Sequence, residues 1–479
     1  MTEKLVVIGA GMASGRMLEH LFDANPDAYD VTLFGAEPRG NYNRIMLSPV
    51  LSGEMTYDEI VTHDAAWYAD HAVKCRFGEA VTGIDRARKV VISADGETRY
   101  DKLLIATGSA PFIIPVPGKD LPGVMAYRDL DDVDRMIAAA DQSGAKAVVI
   151  GGGLLGLEAA AGLQQRGMDV TVVHLMGHQM ERQLDPAAGY LLAKELESRG
   201  ITVMLNASTA AIRGNDWVEG VLLSDDTAID ADIVVMAAGI RPETRLARDA
   251  DLLCERGIVV DDQMRTSDPD ILAVGECVQH NGAVYGLVAP LYEMAKVVAK
   301  TLVGEAAAYS GSTTSTKLKV TGVDLFSAGD FADGSDREEI IFRDAARGVY
   351  KRLVIQNNAI VGAVMYGDTA DGAWFFGQLK DGTDISAARD TLIFGPAYAG
   401  GTPLDPMAAV AALPDEAEIC GCNGICKGQI TTAIAGGAVT LDAVRSTTKA
   451  SSSCGTCTGL VEQVLAMALG DDYAAPAAA

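Results

Sequence analysis

The sequence predicts an α/β chain in which one strand, glycine turn and helix unit occurs twice, followed by a β-containing segment and a small cysteine-bearing end. Three observations predict it. Residues 5–8 are apolar and β-branched, 9–15 are turn-like, 16–22 have helical spacing, and a second strand follows at 31–34. The same order returns at 147–150, 151–156, 157–166 and 170–173. Finally, Cys420, Cys422, Cys426, Cys454 and Cys457 crowd one window, whereas Cys75, Cys254 and Cys277 are scattered.

At 479 residues the chain exceeds one core, since a domain holds roughly 100–200 residues, so three or four units are expected. Its 49% apolar and 22% charged content is that of an ordinary globular protein. Lys plus Arg number 39 against 65 Asp plus Glu, and the resulting charge of -26 excludes nucleic acid and anionic membranes as partners. Solubility and the docking of a basic partner account for it equally well. There is no basic leader, and no apolar run approaches the ~20 residues that cross a bilayer, so a cytoplasmic location with reduced thiols is expected. Clustered cysteines then point to metal rather than disulfides.

Between the two units, 103–105 runs into Ala106-Thr107-Gly108, and later 233–236 runs into Ala237-Ala238-Gly239, two strands that end where a nucleotide would lie. The Ser/Thr-rich stretch 310–316 reads as a linker. Beyond it, strands at 350–355 and 360–366 flank Asn357-Asn358, a hairpin turn. This marks a third, α+β domain at 317–400, for which an interface role is expected. Pro403, Pro406 and Pro414 separate it from a small helical domain at 415–470, and the Ala-rich tail 471–479 is expected to be disordered.

The turns carry the first chemistry. Gly151, Gly153 and Gly156 form a full Gly-x-Gly-x-x-Gly. Of these, one glycine turns the chain, one admits a pyrophosphate against the backbone, and one packs helix on strand. In the first unit Gly9 and Gly11 match and Ser14 takes the third place, with Gly15 next. One fingerprint is weak, but two in register predict two Rossmann-like dinucleotide-binding domains: 1–115 with 243–310, and 116–242. Glu37 ends the second strand of the first unit, where a carboxylate accepts both adenosine ribose hydroxyls, which favours FAD there. The equivalent position in the second unit is His174, so the acidic NAD marker is missing, but no basic residue follows before Arg182. NADH is therefore favoured over NADPH. Residues 268–276 form a further strand ending in Gly275-Glu276, whose carboxylate suits a flavin ribityl hydroxyl.

The cysteines read Cys420-x-Cys422 and Cys454-x-x-Cys457. Four thiolates suit zinc or iron-sulfur. The tight first pair favours a 2Fe-2S cluster, with zinc the alternative, and Gly421 and Gly455 free backbone N–H groups to approach cluster sulfur. Cys426 and the scattered cysteines are read as small buried hydrophobes, and His20, His63, His71, His178 and His280 as structural.

The arrangement resembles the two-dinucleotide flavoprotein superfamily of disulfide, rubredoxin and ferredoxin reductases, with its glutathione-reductase-like FAD/NAD(P) fold, although Glu276 stands where Asp is usual. Asn41 to Ser48 contains no cysteine to relay electrons beside the flavin. The resemblance instead puts Arg44 near the isoalloxazine, as a cation favouring reduced flavin. Residues 420–457 look like the bacterioferritin-associated ferredoxin domain. With Asn41-Tyr42-Asn43-Arg44, His174-Leu175-Met176, 181–185, 316–322 and 448–454, the chain resembles, nearly end to end, the NADH-dehydrogenase half of the bacterial assimilatory nitrite reductase large subunit. That implies Glu158 positioning the nicotinamide, and electrons passing from NADH through FAD to the cluster and on to a partner. Those large subunits continue into a sirohaem domain, for which no cysteines are left here. A stand-alone electron-transfer subunit of assimilatory nitrate reductase is therefore expected, possible as a homodimer. A sirohaem nitrite reductase, a ferredoxin or rubredoxin, or an oxygenase are alternative acceptors, and an iron or redox sensor is the reading from another class.

Overall fold

A computed structural model of the chain describes residues 2–142, 144–320, 322–396, 398, 410–411, 413–420, 423–452, 455 and 457–470. The expectations for Pro403, Pro406, Gly421, Cys422, Cys454 and the tail lie outside them. The chain divides into two compact units, one formed by residues 1–145, 165–167 and 235–312, the other by 146–164, 168–234 and 313–479.

In the first unit, five parallel strands run in the order Ile271–Ala273, Lys102–Ile105, Glu3–Ile8, Tyr29–Gly35, Lys74–Phe77. Their residues are nearly continuously apolar because helices cover both faces of such a sheet. Leu5, Val7, Leu33, Leu103, Leu104 and Ile105 are fully buried. The helix Met12–Ala24 buries Met17, Leu18 and Leu21 against this core. A three-stranded antiparallel meander, Val81–Asp85, Val90–Ser93 and Gly96–Arg99, adds to the unit.

In the second unit, Lys146–Ile150, Asp169–Val173 and Thr202–Met204 are parallel neighbours, followed by an antiparallel meander from Thr209 to Asp230. A five-stranded antiparallel sheet comes next, ordered Ser315–Val320, Val323–Gly329, Ala359–Tyr366, Val349–Gln356, Glu338–Asp344, with the helix Gly372–Asp381. The expected hairpin is present: Asn357 and Asn358 have φ of 52° and 58° between paired strands, the left-handed pair that a two-residue turn of this kind requires. The expected linker is shorter than predicted. Strand pairing starts at Ser315, because extended backbone next to a free sheet edge gains ladder hydrogen bonds that polar side chains do not prevent.

Asp185 ties this sheet to the preceding helix. Its carboxylate caps the helix Pro186–Ser198 by accepting the Ala188 N–H (2.9 Å), and it also accepts the Tyr350 hydroxyl (2.6 Å) and Arg352 Nη1 (3.3 Å). Arg352 further meets Glu339 (2.9 Å) and Asp333 (2.5 Å). Burial opposes the Arg352 charge, but the surrounding carboxylates outweigh it and raise its pKa above the ordinary guanidinium value. Since the Asp185–Tyr350 bond is buried and ends on a charge, Tyr350→Phe is expected to cost about 1.5–3 kcal/mol. A lower midpoint in urea unfolding, with unchanged secondary structure by circular dichroism, would register it.

The cysteine-bearing end is small and helical, with helices Lys427–Ala435, Leu441–Thr448 and Thr458–Leu469 around a core of Ile430, Val444, Val461, Val464 and Leu465. No helix among the described residues is long and apolar enough to cross a membrane.

Candidate functional site

The first cradle lies where the strand Glu3–Ile8 ends. Gly9 has φ +110° and donates its N–H to Phe34 O (2.8 Å); a Cβ there would stand 2.2 Å from Ala106 O. Gly11 caps the following helix with no side-chain cap, and the first turn carries no acid. Its N–H groups are thus left for an anion. Ser14, a departure from the glycine pattern, is fully buried and donates to Gly11 O (3.0 Å). The glycine needed next to it is Gly15, where a Cβ would come within 2.9 Å of His63 Cε1. Asn41 Nδ2 also donates to Gly11 O (2.5 Å), so the Asn41 to Arg44 motif is part of this cradle.

Glu37 is held from two sides. The Tyr42 hydroxyl donates to Oε2 (2.7 Å), and Arg44 pairs with Oε1. Arg44 Nη1 also donates to Arg128 O (3.0 Å), and its guanidinium lies 4.9 Å from the centre of the Tyr42 ring. Arg44 is thus paired with the carboxylate at one end of this cradle, where the backbone turns at Asn43, whose side chain accepts the Ile45 N–H (3.0 Å). Burial opposes its charge, while Tyr42 and Glu37 hold it protonated.

At the other end, Glu276 accepts the Ser109 hydroxyl (2.7 Å) and pairs with Arg128. Ala106 is buried beside Gly9, and Gly108 takes φ +70° with Arg128 Nη2 3.6 Å from its absent Cβ. Arg128 joins Arg44 to Glu276 and was missed in the sequence, where no motif surrounds it. Cys277 adjoins the site, but burial pushes its thiol up to about 11 and its Sγ donates to Val274 O (3.3 Å), so it is no nucleophile. In the same unit Gly239, with φ +113°, accepts the Phe112 N–H (2.8 Å).

The second cradle repeats the design. Gly151 has φ +124° and donates to Val173 O (2.9 Å), Gly153 has open space where a Cβ would stand, and Gly156 is buried in the helix Leu154–Gln165, which also carries half-buried Glu158. His174 does not reach outward. It folds back on the turn, with Nδ1 accepting the Gly152 N–H (3.0 Å) and the ring so close that a Gly152 Cβ would lie 2.8 Å from Cγ. The glycine at 152, a variable place in the fingerprint, is therefore set by His174.

At the cysteine-bearing end, Cys420 and Cys457 are buried in one core. The Ser451 N–H points at Cys420 Sγ (3.4 Å), delivered by a turn in which Lys449 and Ser451 have φ of 63° and 60°. An N–H aimed at sulfur stabilises thiolate over thiol, which suits a metal ligand. Cys422 and Cys454 lie outside the described residues, among which no three metal-capable side chains converge. Cys426 differs from expectation: it is half-exposed and caps the helix Lys427–Ala435, its N–H donating to the Gln429 side chain (2.9 Å). His63, His178 and His280 are engaged by Glu19, Leu184 O and Asp262, as structural histidines are.

Three family models match the chain: pyridine nucleotide-disulphide oxidoreductase over residues 3–297, rubredoxin NAD+ reductase C-terminal domain over 315–383, and BFD-like 2Fe-2S binding domain over 418–467. The chain is 47% identical to a nitrite reductase (NAD(P)H) of Bacillus subtilis strain 168, over 99% of this chain and 59% of that protein. It is 41% identical to the assimilatory nitrate reductase electron transfer subunit of the same organism, over 99% and 61%. It thus spans about 60% of the length of these relatives. The crystal structure of NADH:rubredoxin oxidoreductase from Clostridium acetobutylicum superposes with a TM-score of 0.69 at 26% identity, over 81% of this chain and 97% of that one. FAD, NADH and a 2Fe-2S cluster are the cofactors of this combination of domains. Both glycine cradles and their carboxylates fall within the matched residues 3–297, and the chain belongs to the pyridine nucleotide-disulphide oxidoreductase family.

Proposed function

We propose that this chain carries electrons from NADH through FAD to a 2Fe-2S cluster and delivers them to a nitrate reductase partner in the cytoplasm. The observation that carries the reading is the Ser451 N–H on Cys420 Sγ, in a core shared with Cys457 and in a chain that also holds two glycine cradles. NADH gives up two electrons together and a cluster accepts one, and a flavin between them converts the one mode into the other.

The chain's own residues would hold each of the three. Gly9 and Gly11 admit the FAD pyrophosphate to backbone N–H groups, while Glu37 accepts from the adenosine ribose. Arg44 and Tyr42 hold that carboxylate in place from two sides. Ala106, Gly108 and Glu276 line the flavin end, with Arg128 fixing Glu276. Gly151, Gly153 and Gly156 cradle NADH, Glu158 positions the nicotinamide, and His174 braces the turn. Cys420, Cys422, Cys454 and Cys457 hold the cluster. Cys277, buried and protonated, is no thiol acceptor for electrons, which favours an exit through the cluster.

A second reading is favoured by the 47% identity to a longer nitrite reductase: the acceptor is a nitrite-reducing unit. Anaerobic titration of the purified chain with NADH is expected to bleach flavin bands and broad iron-sulfur absorbance together. Reoxidation by nitrate reductase, by nitrite reductase and by ferredoxin then ranks the acceptors. A spectrum of flavin alone, with stoichiometric zinc, would sink the reading. Sedimentation of the same sample tests the expected homodimer.

A further inference from the structure

The strand Asp169–Val173 ends at His174, where a dinucleotide site normally presents an acid to the adenosine ribose. Here the ring lies on the glycine turn. Because Nδ1 accepts the Gly152 N–H, the neutral ring carries its proton on Nε2. Among the described residues the buried Nε2 has no hydrogen-bond partner; Glu181 Oε2 lies 3.2 Å away but outside hydrogen-bonding geometry. A carboxylate seven residues downstream has thus been brought to the strand end, with about a third of its side chain exposed.

The segment that brings it is anchored at both sides. Met180, at φ 53°, donates its N–H to Gly152 O (2.9 Å), the Asn206 N–H reaches Met176 O (3.0 Å), and Asp185 is locked by Tyr350 and Arg352. The segment also holds three of the six buried side-chain polar atoms without a partner among the described residues: His174 Nε2 and both amide atoms of Gln179. Buried polar atoms left unpaired cost about 1–3 kcal/mol each, so their concentration here marks a place kept for a polar ligand. Leu175 and Met176, 65% and 46% exposed, add apolar surface of the kind a purine covers.

We propose that Glu181 is the residue that selects NADH over NADPH, accepting the adenosine ribose hydroxyls from the position His174 vacates and repelling a 2'-phosphate. This rests on the nicotinamide site proposed above. Arg182, exposed and adjacent, is the competing group that would reward a 2'-phosphate.

The test is calorimetric binding of ADP-ribose and 2'-phospho-ADP-ribose to the FAD-loaded full chain, alongside kcat/KM for NADH and NADPH. The wild type is expected to prefer ADP-ribose. Glu181→Gln should narrow that preference about 10- to 100-fold, since a like charge facing the phosphate is removed, and Glu181→Arg should invert it. Neither variant should change FAD content. Ratios unchanged within about twofold in both variants, or a wild-type preference for the 2'-phosphate, would overturn the inference while leaving the nicotinamide site standing. A wild type that binds neither ligand overturns the site as well.

Discussion

Cys420→Ser is expected to separate the two halves of the reaction: NADH oxidation with a flavin-reactive dye persists, while transfer to the protein partner falls by ~100-fold or more. The argument is chemical. Serine is close in size, so the small helical core around Ile430 and Val461 keeps its volume. It replaces a soft thiolate with a hydroxyl that stays protonated, and the Ser451 N–H then has no sulfur to stabilise. Iron per chain should fall from two towards zero, and the broad visible absorbance should go with it. If Cys420→Ser reduced the partner at the wild-type rate, the cluster would not be the route by which electrons leave. Cys426→Ser serves as the control, since this half-exposed residue caps a helix, and it is expected to leave iron content and partner reduction unchanged.

Gly9→Ala is expected to abolish FAD binding. At φ +110° an L-residue is strained, and the new Cβ would meet Ala106 O at 2.2 Å, a backbone atom that cannot swing aside. Relief requires moving the first strand away from its neighbour Lys102–Ile105 or flattening the turn, at about 2–4 kcal/mol, and either shift moves the N–H groups at Gly11 off the phosphates. Flavin content of the purified protein measures it directly: the wild type should retain about one FAD per chain and the variant almost none. Gly11→Ala makes an informative contrast, because no atom lies within 4 Å of the Cβ it would add, so any loss of FAD there reports on the ligand's approach and not on strain.

Several parts of this molecule were legible as strings of residues. The repeated fingerprint placed both cradles because a turn tight enough to seat a pyrophosphate needs glycine at defined offsets, and offsets survive in sequence. Asn357-Asn358 placed the hairpin for a like reason, since few residues accept consecutive left-handed conformations. Other parts were not legible. Arg128 has no neighbouring motif, and its importance comes from Glu276, 148 residues away. Gly152 occupies a variable place in its motif and is required only because His174 folds onto it. Spacing along the chain likewise does not reveal that Arg44 pairs with Glu37, seven residues before it.

The division follows from what each kind of information carries. Backbone conformation and ligand chemistry are local: which residues can take positive φ, which present thiolate or carboxylate. The sequence therefore carries the two glycine turns, the acid at the end of the second strand and the cysteine spacing from Cys420 to Cys457. Partnership is not local. Whether a charge is free or already paired depends on groups brought near it by the fold. His174 turned inward with Glu181 beside it, Asp185 held by Tyr350 and Arg352, and Ser451 aimed at Cys420 are all outcomes of chain segments meeting across distances that no motif spans.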